Sequence, residues 1–169
     1  STDWTEIYRH LASDGAISEV ILSGGDPLIL SDRQLSGIIT KIDSVETIDT
    51  IRLHTRLPVV IPQRICLELI DWVRRCQKKV VFVLHTNHAN EIDDHVVDAI
   101  GSLRDAGATL LNQSVLLRDV NNSAEVLINL SRKLFNAGVL PYYLHLLDPV
   151  AGAQHFDVSE AEGINLIRQ

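Results

Sequence analysis

The chain has 169 residues, enough for one domain of ordinary size. Apolar residues make up 46% and charged residues 22%, which excludes a disordered, collagen-like or coiled-coil chain. With 15 basic against 22 acidic residues the net charge is −7, so no nucleic-acid partner is expected, and no apolar run approaches the ~20 residues that cross a bilayer, so no membrane span is expected either.

In chain order, residues 3–13 read as a helix capped by Asp3, with Trp4, Ile7, Tyr8 and Leu11 on one face and Gly15 beyond its end. Val20-Ile21-Leu22 is a short continuous apolar run, stopped by Ser23-Gly24-Gly25-Asp26-Pro27. Such a run predicts a strand buried on both faces. Ser31 or Asp32 caps a helix with Leu35, Ile38, Ile39 and Ile42 inside. A second strand is predicted over residues 50–53, a loop over 58–62, and then a helix burying Leu67, Ile70 and Val73. Residues 80–84 read as a third strand and 92–106 as a helix closed by Gly107. A fourth strand opens over 109–111. Ser123 caps a helix to about residue 136, closed by Gly138. Residues 142–147 are a fifth strand, and Ser159 caps a last helix.

The pattern is one α/β domain over residues 1–169, a helix followed by five strand–helix units at intervals of about 30 residues. This predicts five parallel strands with right-handed crossovers. Periodicity allows an open sheet or part of a barrel. The polar groups Ser23–Asp26, His54–Arg56, His85–His88, Asn112–Ser114 and Asp148 all fall at or beyond strand carboxyl ends, which favours a barrel, where those ends converge.

Candidate chemistry lies in those groups. The Gly24-Gly25 pair lets backbone approach a ligand closely, and Asp26 suits an ammonium or a local turn. The Arg56 guanidinium suits a carboxylate or phosphate. His85 and His88 lack a third partner at metal-ligand spacing, so no metal site is expected. Asn112, Gln113 and Ser114 break an apolar segment and need partners if buried. Asp148 is placed for a ligand ammonium or a turn before Pro149. No nucleophile–base pair stands out, so the reactive group is expected to come from a cofactor. Cys66 and Cys76, predicted to lie on a helix, read as plain thiols of a cytoplasmic protein. The start Ser1-Thr2-Asp3-Trp4 lacks a leader pattern and an initiator Met, so a cut from something longer is expected.

Several runs carry a resemblance. They are Leu22-Ser23-Gly24-Gly25-Asp26-Pro27-Leu28; the segment from Arg56-Leu57-Pro58 to Gln63-Arg64-Ile65; the segment from Asn112-Gln113-Ser114 to Asp119-Val120-Asn121; Pro141-Tyr142-Tyr143-Leu144-His145; the stretch 85–91; and Ala153-Gln154-His155-Phe156. In that order and spacing they resemble the lysine 2,3-aminomutase family of radical SAM enzymes. The segment 144–152, around Asp148-Pro149, looks most like the branch that makes (R)-β-lysine for elongation factor P.

The resemblance implies the central part of a radical SAM partial (β/α)6 barrel. It implies S-adenosylmethionine (SAM), a 4Fe–4S cluster and pyridoxal phosphate (PLP) as cofactors of the full-length isomerase, with L-lysine as substrate. By the same resemblance Ser23, Gly24, Gly25, Asp26, Arg56, His85 and Gln113 hold SAM, and Asp148 holds the side-chain ammonium of lysine.

The family's CxxxCxxC motif is absent, and Lys41, Lys78, Lys79 and Lys133 fall on predicted helices or a helix–strand junction. The cluster-binding part and the PLP-binding lysine are therefore expected outside these residues. The chain alone is expected to be inactive, to bind none of these cofactors, and to self-associate or be partly disordered through an exposed first strand. The alternatives are a SAM- or lysine-binding module without catalysis and an unrelated barrel lyase or aldolase. The latter would need a lysine or metal ligands at a strand end.

Overall fold

The structure, a computed structural model, describes residues 4–169. The Asp3 cap lies outside the described residues. The elements run α1 (Trp4–Ser13), β1 (Glu19–Leu22), α2 (Asp32–Asp43), β2 (Thr50–Thr55), α3 (Leu57–Val60), α4 (Leu67–Arg75), β3 (Lys79–His85), α5 (Asp94–Asp105), β4 (Thr109–Val115), α6 (Ala124–Asn136), β5 (Leu140–His145) and α7 (Glu160–Ile167).

All five strands pair in parallel, in the spatial order β1-β2-β3-β4-β5. Sequential order without a reversal has a geometric consequence. When every crossover has the same hand, every helix lands on the same face of the sheet. That face carries the core: Ile51, Leu53, Phe82, Leu84 and Leu110 pack against Leu35, Ile39, Leu69, Ile100 and Leu134. The other face has no helix, yet Val81 and Val83 on it are buried.

Curvature explains this. Arg52 of β2 meets the Tyr142 hydroxyl of β5 at 3.3 Å, with its guanidinium carbon 5.6 Å from that ring's centre. Two strands intervene. At ~4.8 Å per strand a flat sheet would separate β2 and β5 by roughly 14 Å. The side chains meet across a concave face, above the β3 valines. This is the predicted partial barrel.

Local signals account for the element ends. Ser31 caps α2 in a reciprocal pair with Gln34, Ser123 caps α6 and Ser159 caps α7. Gly107 and Gly138, with φ of 99° and 82°, close α5 and α6.

Five expectations are corrected. β1 is an edge strand, and Ile21 is 49% exposed rather than buried on both faces, because β1 has one neighbour. Residues 58–62 are not an open loop: Pro58 sits in the first turn of α3, where its missing N–H costs nothing, and a 3-10 turn follows. Leu67 is 83% exposed, since the buried face of α4 runs through Leu69, Ile70, Trp72 and Val73. The cysteines flank α4, at its two cap positions, instead of lying on it. Asn112, Gln113 and Ser114 do not end β4; they belong to it.

Candidate functional site

In a parallel sheet all carboxyl ends share one edge, and the predicted site residues collect there. Ser23-Gly24-Gly25 leaves β1, Arg56 follows β2, and His85 ends β3. Gln113 of β4 pairs in register with His85. Asp148 lies in the loop beyond β5, is exposed, and makes no hydrogen bond or ion pair with the other described residues.

Gly24 and Gly25 have φ of 82° and 130°, which L side chains rarely adopt, and open space lies where their Cβ atoms would be. Their backbone is therefore exposed to any ligand above the turn. Asp26 anchors that turn. Its Oδ1 accepts from Leu28 N at 3.0 Å and Thr55 Oγ1 at 2.7 Å. Its Oδ2 accepts from Arg56 N at 2.7 Å and Leu57 N at 3.3 Å. The carboxylate thus ties the β1 turn to the start of α3.

The Arg56 guanidinium reaches Glu91 Oε2 at 2.8 Å and stays 44% exposed. Glu91 Oε1 accepts from Asn87 N and His88 N at 2.7 and 2.8 Å. Arg56 is thereby held over the tip of β3. Burial, and then the Arg56 charge, hold His85 below its ordinary range, so the imidazole is neutral at pH 7. His85 Nε2 is buried without a hydrogen-bond partner. Buried ring nitrogens normally have one.

Beneath this rim, His54 Nε2 is also buried and unpartnered. Burial, and then Arg52, hold His54 below its ordinary range, and Gln113 lies within hydrogen-bonding reach of the ring. Deeper still, Glu19 Oε1 accepts from Arg52 Nε at 3.1 Å and Nη2 at 2.8 Å.

On the helix side, Asn112 Nδ2 and Ser114 Oγ find partners, while Asn112 Oδ1 is buried without one. Asn112 Nδ2 donates to Thr86 O and Ser114 Oγ, and Ser114 Oγ donates to Thr86 O at 2.6 Å. Strand alternation therefore separates them from Gln113, which faces the concave side. Asn87 and Asn121 fix the loops after β3 and β4: Val115 N donates to Asn87 Oδ1, and Asn121 Nδ2 donates to Asn87 O and Val115 O. Reading the sequence missed Glu19, Arg52, Glu91 and these two asparagines as site framework. Period-two alternation from His54 and Gln113 would have placed Arg52 on their face.

The residues present fit some cofactors and not others. The open glycine turn and two orphaned imidazole nitrogens on one concave face suit a polar organic ligand such as SAM. The thiols do not suit an iron–sulfur cluster. Cys66 and Cys76 cap opposite ends of α4, and Cys76 is pushed up to about 11 by burial and by Asp43. Among the described residues no group of three His, Cys, Asp or Glu could hold a metal ion. None of the four lysines lies at the strand tips, and Lys79 opens β3 at the opposite end, so no residue here suits covalent PLP attachment.

No family model matches the chain. It is 46% identical over 167 residues to L-lysine 2,3-aminomutase of Escherichia coli (strain K12), covering 99% of this chain and 49% of that protein. It is 40% identical over 151 residues to L-lysine 2,3-aminomutase of Clostridium subterminale, covering 89% and 36% respectively. Its fold matches Streptococcus suis SuiB with a TM-score of 0.67 and 16% identity, over 97% of this chain and 38% of that one. The chain spans about half the length of the first curated relatives it matches, and less of others. Nearly the whole chain is thus similar in sequence to part of an L-lysine 2,3-aminomutase, and it shares its fold with SuiB.

Proposed function

We propose that this chain is the barrel core of a radical SAM, PLP-dependent L-lysine 2,3-aminomutase, and that it serves to make β-lysine for elongation factor P in the cytoplasm. The observation that carries the reading is the meeting of the glycine turn, Arg56, His85 and Gln113 at one edge of a singly wound, curled sheet. The ~46% identity to a named aminomutase supplies the reaction class.

Each side chain has a task in this reading. Ser23, Gly24 and Gly25 present backbone and a hydroxyl to the methionine part of SAM. Asp26 holds their turn to β2. Arg56 faces the carboxylate, and neutral His85 and Gln113 take uncharged polar groups. Asp148 pairs with the side-chain ammonium of lysine. In the full-length protein SAM together with a cluster would supply radical chemistry, and PLP would supply a carbonyl able to hold an amino group. Both the cluster and PLP call for residues outside this chain, so the chain by itself is read as inactive.

The test uses the full-length protein that contains this segment. Anaerobic turnover of L-lysine, followed by chromatography of the amino acids, is expected to yield β-lysine. Arg56→Ala and Gln113→Ala should each lower turnover at least about 100-fold, since each removes hydrogen bonds to a reacting ligand. Full turnover by both variants would refute the site. A second reading, binding without catalysis, is favoured by the thiol and lysine positions. It would be supported if this chain, as given, bound SAM while reconstitution with iron and sulfide left no visible charge-transfer band and the natural reading frame carried no CxxxCxxC.

A further inference from the structure

We infer, on the reading of the rim as a SAM site, that His54 is a further ligand-contacting residue, hydrogen-bonding an uncharged polar group of the nucleoside part of SAM. Register carries the placement. His54 pairs with Val83, and His85 stands two residues beyond Val83 on the same face. Two imidazoles on neighbouring strands therefore face one concave surface, each with a buried Nε2 that no described residue engages. The helix-side core does not account for His54, because strand alternation points it away from Leu53 and Thr55.

The surroundings select the chemistry. Arg52, Glu19, Gln113 and His145 all act on the ring. Arg52 is already held by Glu19 at 2.8 Å, so it does not offer a free cation for an anionic ligand group there. Arg52 and His145 both oppose a charge on His54, and Glu19 and Gln113 do not overcome them together with burial. A neutral imidazole offers one donor and one acceptor. That pairing suits a hydroxyl or ring nitrogen and does not suit a carboxylate or an ammonium. The site then divides by charge. The zwitterionic end of the ligand meets the glycine turn and Arg56, and the neutral sugar and base meet His54, His85 and Gln113.

The test is a titration of the nitrogen-15 histidine-labelled full-length protein that contains this segment, with His54 assigned by His54→Gln. SAM, adenosine and methionine are the probes. The His54 Nε2 resonance is expected to move with SAM and with adenosine but not with methionine. His54→Phe, which keeps the bulk and removes both nitrogens, should weaken SAM about ten-fold. Its melting temperature without ligand should be unchanged or raised, because a buried orphan nitrogen is gone. SAM binding with an unmoved His54 resonance, or movement with methionine and not adenosine, overturns this inference and leaves the rim assignment standing. Absence of binding of both SAM and adenosine by the unsubstituted full-length protein overturns the two together.

Discussion

Asp26 shows how one carboxylate can be fully engaged without a ligand. An ionised carboxylate has about four acceptor positions, and four donors fill them here. Asp26→Ala should lower stability by about 3 kcal/mol in urea titration, since it removes the acceptor of the Arg56 amide and the Thr55 hydroxyl. Asp26→Asn should recover part of that loss. Three of its four partners, Thr55 at the end of β2 and Arg56 and Leu57 after it, lie far along the chain, so no local pattern could reveal them. The residue was legible as important, and its partners were not. His85 adds a pH dependence. Its folded value lies below its unfolded one, so the unfolded chain binds the proton first as pH falls. Stability is therefore complete above the ordinary value of about 6.5 and is lost as pH drops through it toward the folded value. His54 is held low in the same way. Chemical denaturation at pH 5.5 should show a lower midpoint than at pH 7.5, and His85→Gln should flatten that difference.

Arg64 organises the elements around the site more than any cap does. Its Nε donates to Leu28 O at 2.7 Å, Nη2 to Leu30 O at 3.0 Å and Nη1 to Asp32 Oδ1 at 2.8 Å. The β1–α2 connection is thereby stapled to the approach to α4, and the guanidinium is only 15% exposed. Arg64→Ala should cost about 3 kcal/mol, because two carbonyls lose their donor in a part-buried setting. Arg64→Lys should rescue little of it, since one ammonium cannot span the three directions of a planar fork. Thermal melts of both variants check this. Caps and glycine stops were readable because their partners lie within a few residues, as Ser123 and Val126 do. Strand ends were not. Reading polarity as a stop cut β2 before His54, where the pleat sends a polar residue to the concave face and its neighbours to the core.

The whole molecule leaves two sheet edges open, and they are not equivalent. β1 is four residues long and exposes Ile21, whereas β5 is six long and exposes Leu140, Tyr142 and Tyr143. Beside β5 lies a groove of about 280 Å³ lined by Leu116, Leu144, Leu146, Ile164 and Ile167. Unpaired backbone flanked by apolar side chains is a template for association, and β5 is the stronger one. Joining β5 of one copy to β1 of the next would be heterologous and would continue without limit. Two copies meeting through β5 alone would be related by a two-fold axis and would stop at a dimer. The longer, more apolar edge favours the second arrangement. Light scattering of this chain should therefore show a mass that rises with concentration and levels at twice that of one chain. Leu140→Lys together with Leu146→Lys should return it to a monomer, while Ile21→Lys on β1 should change nothing. A mass independent of concentration would remove β5 as an adhesive edge, and a mass that climbs past the dimer would bring β1 back into the contact.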